Sequence, residues 1–268
     1  MPARSILAAT AAGLAMMATA AVLSPTPAFA QDDMMSSSME ASVNAPYTAF
    51  LQKYLVEKDG IQLVRYADVT PADKTALDEY IATLEGLAPS EMSRDEALAY
   101  YFNLYNAETI SLILDAYPVK SIRSLGIFNS GPWKKKVVTV EGRELSLDDI
   151  EHNTVRANYD EPRVHYAFNC ASIGCPNLKP SAWEAATLDA DLDAAARTYI
   201  AHPRGITIEN GRVTASNIYD WFSEDFGDNE SEVLDHIRQY AQGDKAEALV
   251  GVTKIDRYAY DWDLNLAE

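Results

Sequence analysis

The stretch Ser93 to Tyr117, SRDEALAYYFNLYNAETISLILDAY, decides the fold class of this chain. Ser93 and Glu96 stand in capping-box spacing, so each side chain can satisfy a backbone N–H that a first helical turn leaves unpaired. Apolar residues then recur at helical spacing as far as Tyr117. Pro118 ends the run, since proline has no N–H to continue the ladder. The stretch reads as one long helix.

Working outward, an earlier helix is expected from Pro71 to about Leu87, with proline in its first turn. After the long helix, Val137 to Val140 followed by Glu141-Gly142-Arg143 reads as a strand entering a hairpin turn. Ser146 and Asp149 then open a short helix carrying Glu151 and His152. Arg163 to Asn169 (RVHYAFN) has the β-branched and aromatic character of a strand. Leu188 to Ile200 is helical in pattern. Ile206 to Thr214 is a hairpin around Asn210-Gly211, a pair that supplies the positive φ angles of a type I′ turn. Ser216 to Phe226 and Ser231 to Ala241 read as further helices, and an aromatic segment, Tyr258 to Leu264, closes the chain. Helices come first and strands cluster later, without βαβ alternation. That order points to an α+β fold: a single domain with a long central helix, further helices and a small, mostly antiparallel sheet.

Arg4 is the only charge in residues 1–30. An Ala- and Met-rich apolar run follows and ends in an A-x-A-like site at Ala28-Phe29-Ala30. This layout is that of a secretory signal peptide cleaved after Ala30, so a periplasmic or secreted location is expected, with no stable membrane insertion afterwards. Residues 31–45, polar and Ser-rich, read as a disordered leader. Residues 46–268 form the expected domain. The formal net charge of −18 argues against nucleic acid as a partner, because binding phosphates takes clustered Lys and Arg. Lys134-Lys135-Lys136 is the only basic run, and it reads as a solvated turn.

Chemistry concentrates in His165 to Pro176 (HYAFNCASIGCP), which holds both cysteines of the chain, Cys170 and Cys175, and one of its four histidines. A cysteine thiolate is a nucleophile when its surroundings lower its pKa. His165, or His152 beside Glu151, is the candidate base. Three readings stay open at this point: a Cys170–Cys175 disulfide suited to an exported protein, a free catalytic thiol, or a metal or redox role. Cys-x4-Cys is not a zinc spacing, so no residue is assigned as a metal ligand, and no cofactor is expected. Asn103 and Asn106 lie three apart on one face of the long helix. They serve either a buried hydrogen-bond network or, more sharply, orient a histidine or a substrate carbonyl. His202 and His236 are expected at the surface. Trp221 and Trp262 are expected in core and rim packing rather than at a ligand.

Seven segments, FNLYNAETI (102–110), YPVKSI (117–122), PW (132–133), LSLDDIEH (145–152), PRVHYAFNCASIGCPNL (162–178), SNIYDWFSEDF (216–226) and YDWDLN (260–265), together resemble the domain of unknown function 547 family. The resemblance covers most of Tyr54 to Asn265. It implies an exported bacterial member of a family whose other members, in plants and animals, lie within larger chains, some resembling fusions to glutaredoxin-like domains. It marks Asn103, Asn106, Glu151, His152, His165, Asn169, Cys170 and Cys175 as matching the family's motif positions, and it supplies no reaction. It also implies that the cysteine pair belongs to the family pattern in chains outside oxidising compartments. A long helix, a Cys/His cluster and a small sheet look like thiol-hydrolase architecture of the papain or transglutaminase type, by analogy alone. Those enzymes place the nucleophile at the start of the long helix, where this chain has none.

The leading expectation is a thiol-dependent hydrolase or acyl-transferase acting on amide bonds of a peptide or protein substrate. Cys170 would be the nucleophile, His165 or His152 the base, and Asn103 or Asn106 an orienter or oxyanion donor. The alternatives are a non-catalytic binding module with a Cys170–Cys175 disulfide and a redox-active dithiol protein.

Overall fold

A computed structural model describes residues 43–267. The expected signal peptide and most of the expected leader lie outside these residues. The last three leader residues do not: residues 43–54 are helical (α1), and Asn44 in this helix is only 3% exposed. Tyr47, Phe50, Leu51 and Tyr54 are buried at positions i, i+3, i+4 and i+7, which is why α1 packs as an amphipathic helix. An antiparallel hairpin follows, β1 (Leu55–Lys58) and β2 (Ile61–Val64), around Asp59 (φ 54°) and Gly60 (φ 80°).

Helix α2 (Pro71–Glu85) starts where the Thr70 hydroxyl accepts the Asp73 N–H at 3.2 Å. Helix α3 (Arg94–Ala116) is the long helix. Ser93 and Glu96 cap it reciprocally, with Glu96 Oε2 accepting the Ser93 N–H at 2.9 Å. From Ala97 to Ile113 every residue of α3 is buried, so the helix is wrapped on all sides rather than presenting one face. Phe102, for example, is closed in by Phe168 and Trp183 at ring-centroid distances of 5.1 and 5.4 Å. Trimming Phe102 to Ala would cost about 3–5 kcal/mol in a core of this kind.

A second hairpin, β3 (Val138–Val140) and β4 (Arg143–Leu145), turns at Glu141-Gly142 as expected. The helix carrying Glu151 and His152 follows, and its turns Asp149–Arg156 are of π type, a local widening often found at functional sites. Residues 163–169 are not a strand. Pro162–Tyr166 forms a 3₁₀ turn, and the Ala167 and Phe168 N–H groups fold back onto the Val164 carbonyl. Among the described residues no strand pairs with this segment. The Glu161 carboxylate instead accepts the Arg163 N–H and guanidinium, so local capping overrides β propensity.

The C-terminal part contains α4 (Leu188–Ala201), the expected hairpin β5 (Ile206–Glu209) and β6 (Arg212–Ser216), and two single-turn helices, α5 (Ile218–Trp221) and α6 (Ser223–Phe226). These are followed by α7 (Glu230–Tyr240), α8 (Gly243–Ala248) and β7 (Arg257–Ala259). Strand β7 pairs with β6 in parallel, the one parallel pairing among the named strands. The fold is α+β, with its strands in three small sheets rather than one. One hydrophobic core surrounds α3, and a second lies between α4, α7 and the β5–β6–β7 sheet. No helix among the described residues is long and apolar enough to cross a membrane. The cysteine loop lies where segments from both halves meet.

Candidate active site

The loop Cys170–Cys175 is held from three directions. From α3, Asn106 Oδ1 accepts the Asn169 N–H at 2.8 Å, while Asn106 Nδ2 donates to the Ala167 carbonyl at 2.9 Å. Asn169 then closes the loop on itself: its Oδ1 accepts the Ala171 N–H at 2.9 Å, and its Nδ2 donates to the Pro176 carbonyl at 2.7 Å. The third support is the C-terminal aromatic segment, which runs antiparallel to the loop. Ile173 and Gly174 donate to the carbonyls of Asp263 and Asp261, each at 2.8 Å. A Cβ on Gly174 would lie 2.9 Å from both N and O of Asp261, so only glycine allows this approach. Ala171 takes a positive φ of 56° in the same turn.

This arrangement brings the two cysteines together as free thiols; no Cys170–Cys175 disulfide is present. The Cys170 N–H donates to Cys175 Sγ at 2.9 Å, which sets the two thiols side by side. Tyr260 Oη lies 3.0 Å from Cys175 Sγ and 3.2 Å from Cys170 Sγ. Ser172 Oγ reaches both sulfurs, at 3.5 and 3.3 Å, and Tyr260 Oη at 2.9 Å. Burial alone would disfavour a thiolate here. At Cys175 the donors from Cys170, Tyr260 and Ser172 outweigh it and hold the thiol below its ordinary range. Cys170 moves the other way, because its bond to Cys175 and its burial both favour the protonated form. The surroundings thus favour the thiolate at Cys175 and the thiol at Cys170, whereas Cys170 was the expected nucleophile.

Both thiols line a cavity of about 180 Å³, together with Glu151, His152, His165, Tyr105 and a set of aromatic rings. His165 is buried and stacked on Phe222 at 4.3 Å. Its Nε2 lies 2.5 Å from Asp225 Oδ2, and its Nδ1 lies 4.0 Å from Glu151 Oε1. Burial lowers the His165 pKa against the pull of Asp225, so the imidazole is neutral and donates from Nε2 to that carboxylate. Asp225 is held down to about 2: burial opposes its charge, and the bonds from His165 and Arg156 overcome it. Glu151 is pushed up by burial, towards the neutral acid, and meets the Tyr105 hydroxyl. His152 sits further out, with its Nε2 3.8 Å from Asp148 Oδ1.

Of the residues expected in a site, Cys170, Cys175, Glu151, His152 and His165 do converge on one cavity. Neither histidine hydrogen-bonds a thiol among the described contacts, so the expected Cys–His pair is not formed. Asn103 and Asn106 stay outside the cavity. Asn103 binds the Trp183 backbone through both ends of its amide, at 2.9 and 2.8 Å, as Asn106 does that of Ala167 and Asn169. Both ends of each amide are thus engaged with backbone, which is the buried hydrogen-bond network expected as one of the two readings, and both side chains lie outside the cavity. His236 is buried rather than exposed, with Nε2 2.9 Å from Tyr166 Oη. His202 braces the β1–β2 turn through the Asp59 carbonyl at 3.0 Å.

Sequence reading missed Tyr260, Ser172, Asp225 and Tyr105 as site residues. Trp221 and Trp262, expected in core and rim packing, pack against each other and Tyr260 and also line the cavity. The available signal was the pair of aromatic–acidic segments 216–226 and 260–265, which carry dense aromatic rings without any amphipathic period. Among the described residues no group of three or more His, Cys, Asp or Glu side chains is placed to hold a metal ion.

Comparison with known proteins gives no matching curated protein and no matching solved structure. Residues 89–200, which run from just before α3 through the cysteine loop to α4, match the family model described as "Protein of unknown function, DUF547", so this part of the chain is similar to that family.

Proposed function

We propose that this protein is a thiol–disulfide exchange protein whose redox pair is Cys170 and Cys175. The observation that carries the reading is the placing of two free thiols side by side in one cavity, with the Cys170 N–H 2.9 Å from Cys175 Sγ and the Tyr260 hydroxyl within 3.2 Å of both sulfurs. A dithiol poised in this way has an attacking sulfur, Cys175, and a resolving sulfur, Cys170, already in place.

The step balances as follows. Cys175 thiolate attacks one sulfur of a substrate disulfide, whose S–S bond breaks and releases one thiolate. Cys170 then gives up its proton and attacks Cys175 Sγ in the mixed disulfide, expelling the second substrate thiolate. The proton goes to a departing sulfur, so the protein ends oxidised by two electrons and the substrate ends as two reduced sulfurs. Tyr260 and Ser172 stabilise the charged sulfur at each stage, and the buried Glu151, its pKa raised by burial, lines the same cavity. The substrate is a peptide or protein disulfide, and the signal-like residues 1–30 support an exported setting, periplasmic or secreted.

Trapping with bis(2-hydroxyethyl) disulfide tests this. The wild-type protein should release two thiols per chain and end with an internal disulfide. Cys170→Ser should stop at a mixed disulfide on Cys175. A folded wild-type protein that stays in the mixed-disulfide form would refute the reading.

A second reading, a thiol-dependent hydrolase or acyl-transferase, is favoured by one observation: His165, held by Asp225 from behind, lines the same cavity as the two thiols. There Cys175 would form a thioester and Cys170 would be dispensable, so full turnover by Cys170→Ser on an amide or ester substrate would select it.

A further inference from the structure

We propose that the cavity above Cys170 and Cys175 receives a small cationic group, an alkylammonium, carried by the substrate. This specifies the substrate class of the thiol–disulfide reading and rests on that reading only for the bond that reacts. The binding claim stands on the cavity itself.

Three features point the same way. First, four rings form a continuous aromatic surface: Trp221 packs on Tyr260 at 4.9 Å and on Trp262 at 5.5 Å, and Trp133 packs on Trp262 at 5.7 Å. Aromatic faces carry negative potential and attract cations, more strongly where water is excluded. Second, the described residues lining the cavity include two carboxyl side chains, Asp148 and Glu151, and neither a lysine nor an arginine. Third, the chain as a whole carries a formal net charge of −18. An anion entering here would meet the negative ring faces and the Asp148 carboxyl group, and no lysine or arginine on the walls. A cation would meet attraction from the rings and that carboxyl group, and the net field would raise its encounter rate.

The rings already show this capacity. The guanidinium of Arg123 lies 5.3 Å from the Trp262 ring, and that of Arg156 lies 4.8 Å from the Phe222 ring. Neither arginine lines the cavity, and Arg156 is neutralised by Asp225 and Glu224. The volume, about 180 Å³, is below that of sites for drug-sized ligands, so it suits one headgroup or side-chain end. Trp221, 43% exposed, stands where such a group would enter.

Two measurements on the reduced full chain test the proposal. Tryptophan fluorescence is titrated with n-butylammonium, n-butanol and butyrate, three probes of one size and three charges. Butylammonium should bind at least tenfold more tightly than butanol, with butyrate weakest, and Trp221→Ala should remove the preference. The same order should hold in the Cys170→Ser/Cys175→Ser double variant, which has no thiol chemistry. Separately, oxidation of the cysteine pair by cystamine, a dication, is compared with that by dithiodiglycolate, a dianion, each relative to its exchange with a free thiol. Cystamine should be favoured at least tenfold. Equal binding of butanol and butylammonium would overturn the proposal and leave a merely apolar cavity, as would equal rates for the two disulfides. Preferential binding of butylammonium in a protein that no disulfide oxidises would uphold the cation site and sink the exchange reading instead.

Discussion

Asn106, in the middle of the buried helix α3, accepts the backbone N–H of Asn169 at 2.8 Å, and Asn169 in turn sets the turn that begins at Cys170. A helix-interior amide therefore fixes the conformation of a reactive loop 63 residues further along the chain. The rigidity of the cysteine pair comes from the core rather than from the loop.

Asn106→Ala should accordingly destabilise the fold by about 2–4 kcal/mol, because it leaves a buried N–H and a buried carbonyl unpaired. Urea unfolding measures this. The same substitution should broaden the reactivity of the two thiols in the folded protein. Asn103→Ala, which strips the Trp183 backbone instead, should cost a similar amount and leave thiol reactivity as it was.

Thiol reactivity should depend on pH in a defined direction. With the Cys175 thiol held below its ordinary range, alkylation by iodoacetamide should reach half its maximum rate below the unperturbed thiol pKa of about 8.5. Tyr260→Phe removes a hydroxyl 3.0 Å from that sulfur and should move the midpoint upward. A wild-type midpoint at or above the unperturbed value would contradict a thiolate favoured at Cys175.

Glu108 offers a stability prediction. It is 8% exposed on α3, and burial, then the charges of Asp115, Asp78 and Glu85, raise its pKa to about 8. The folded protein thus keeps a proton that the unfolded chain releases above about 4.5. Stability from this group is complete at low pH and is lost as pH rises towards 8. Glu108→Gln should therefore stabilise the protein by on the order of 2 kcal/mol at pH 8 and by little at pH 4.5. Thermal unfolding at the two pH values reads the difference.

Phe128 is 99% exposed and has φ 54°, a conformation that a bulky residue resists. Phe128→Asn should lose no packing and gain about 0.5–1 kcal/mol, since asparagine tolerates the left-handed region. An unchanged or lower unfolding midpoint would show that the ring has a partner.

Local signals in the sequence were read well wherever the structure is locally determined. The Ser93–Glu96 box marks the start of α3, and Asn210-Gly211 marks the turn between β5 and β6. Asp59-Gly60 carried an equal hairpin signal that was passed over. Residues 163–169 misled because their β-branched and aromatic side chains are buried in an irregular turn that Asn106 and Glu161 hold from outside the segment. The site was half legible for the same reason. Cys170 and Cys175 announce themselves, but Tyr260 and Asp225 approach from 90 and 60 residues away, and no spacing rule connects them to Cys170 and His165. The two helix asparagines were singled out correctly as needing a reason. The reason is backbone pairing, which only the tertiary fold reveals.

The most direct test of the account is intact mass with alkylation, taken after equilibration in a graded series of reduced and oxidised glutathione. The account predicts two populations, a doubly alkylated chain and an unalkylated chain lighter by two hydrogens, that interconvert reversibly across the series. A chain that alkylates twice under every condition, or one locked as the disulfide even in the most reducing buffer, would contradict a working dithiol.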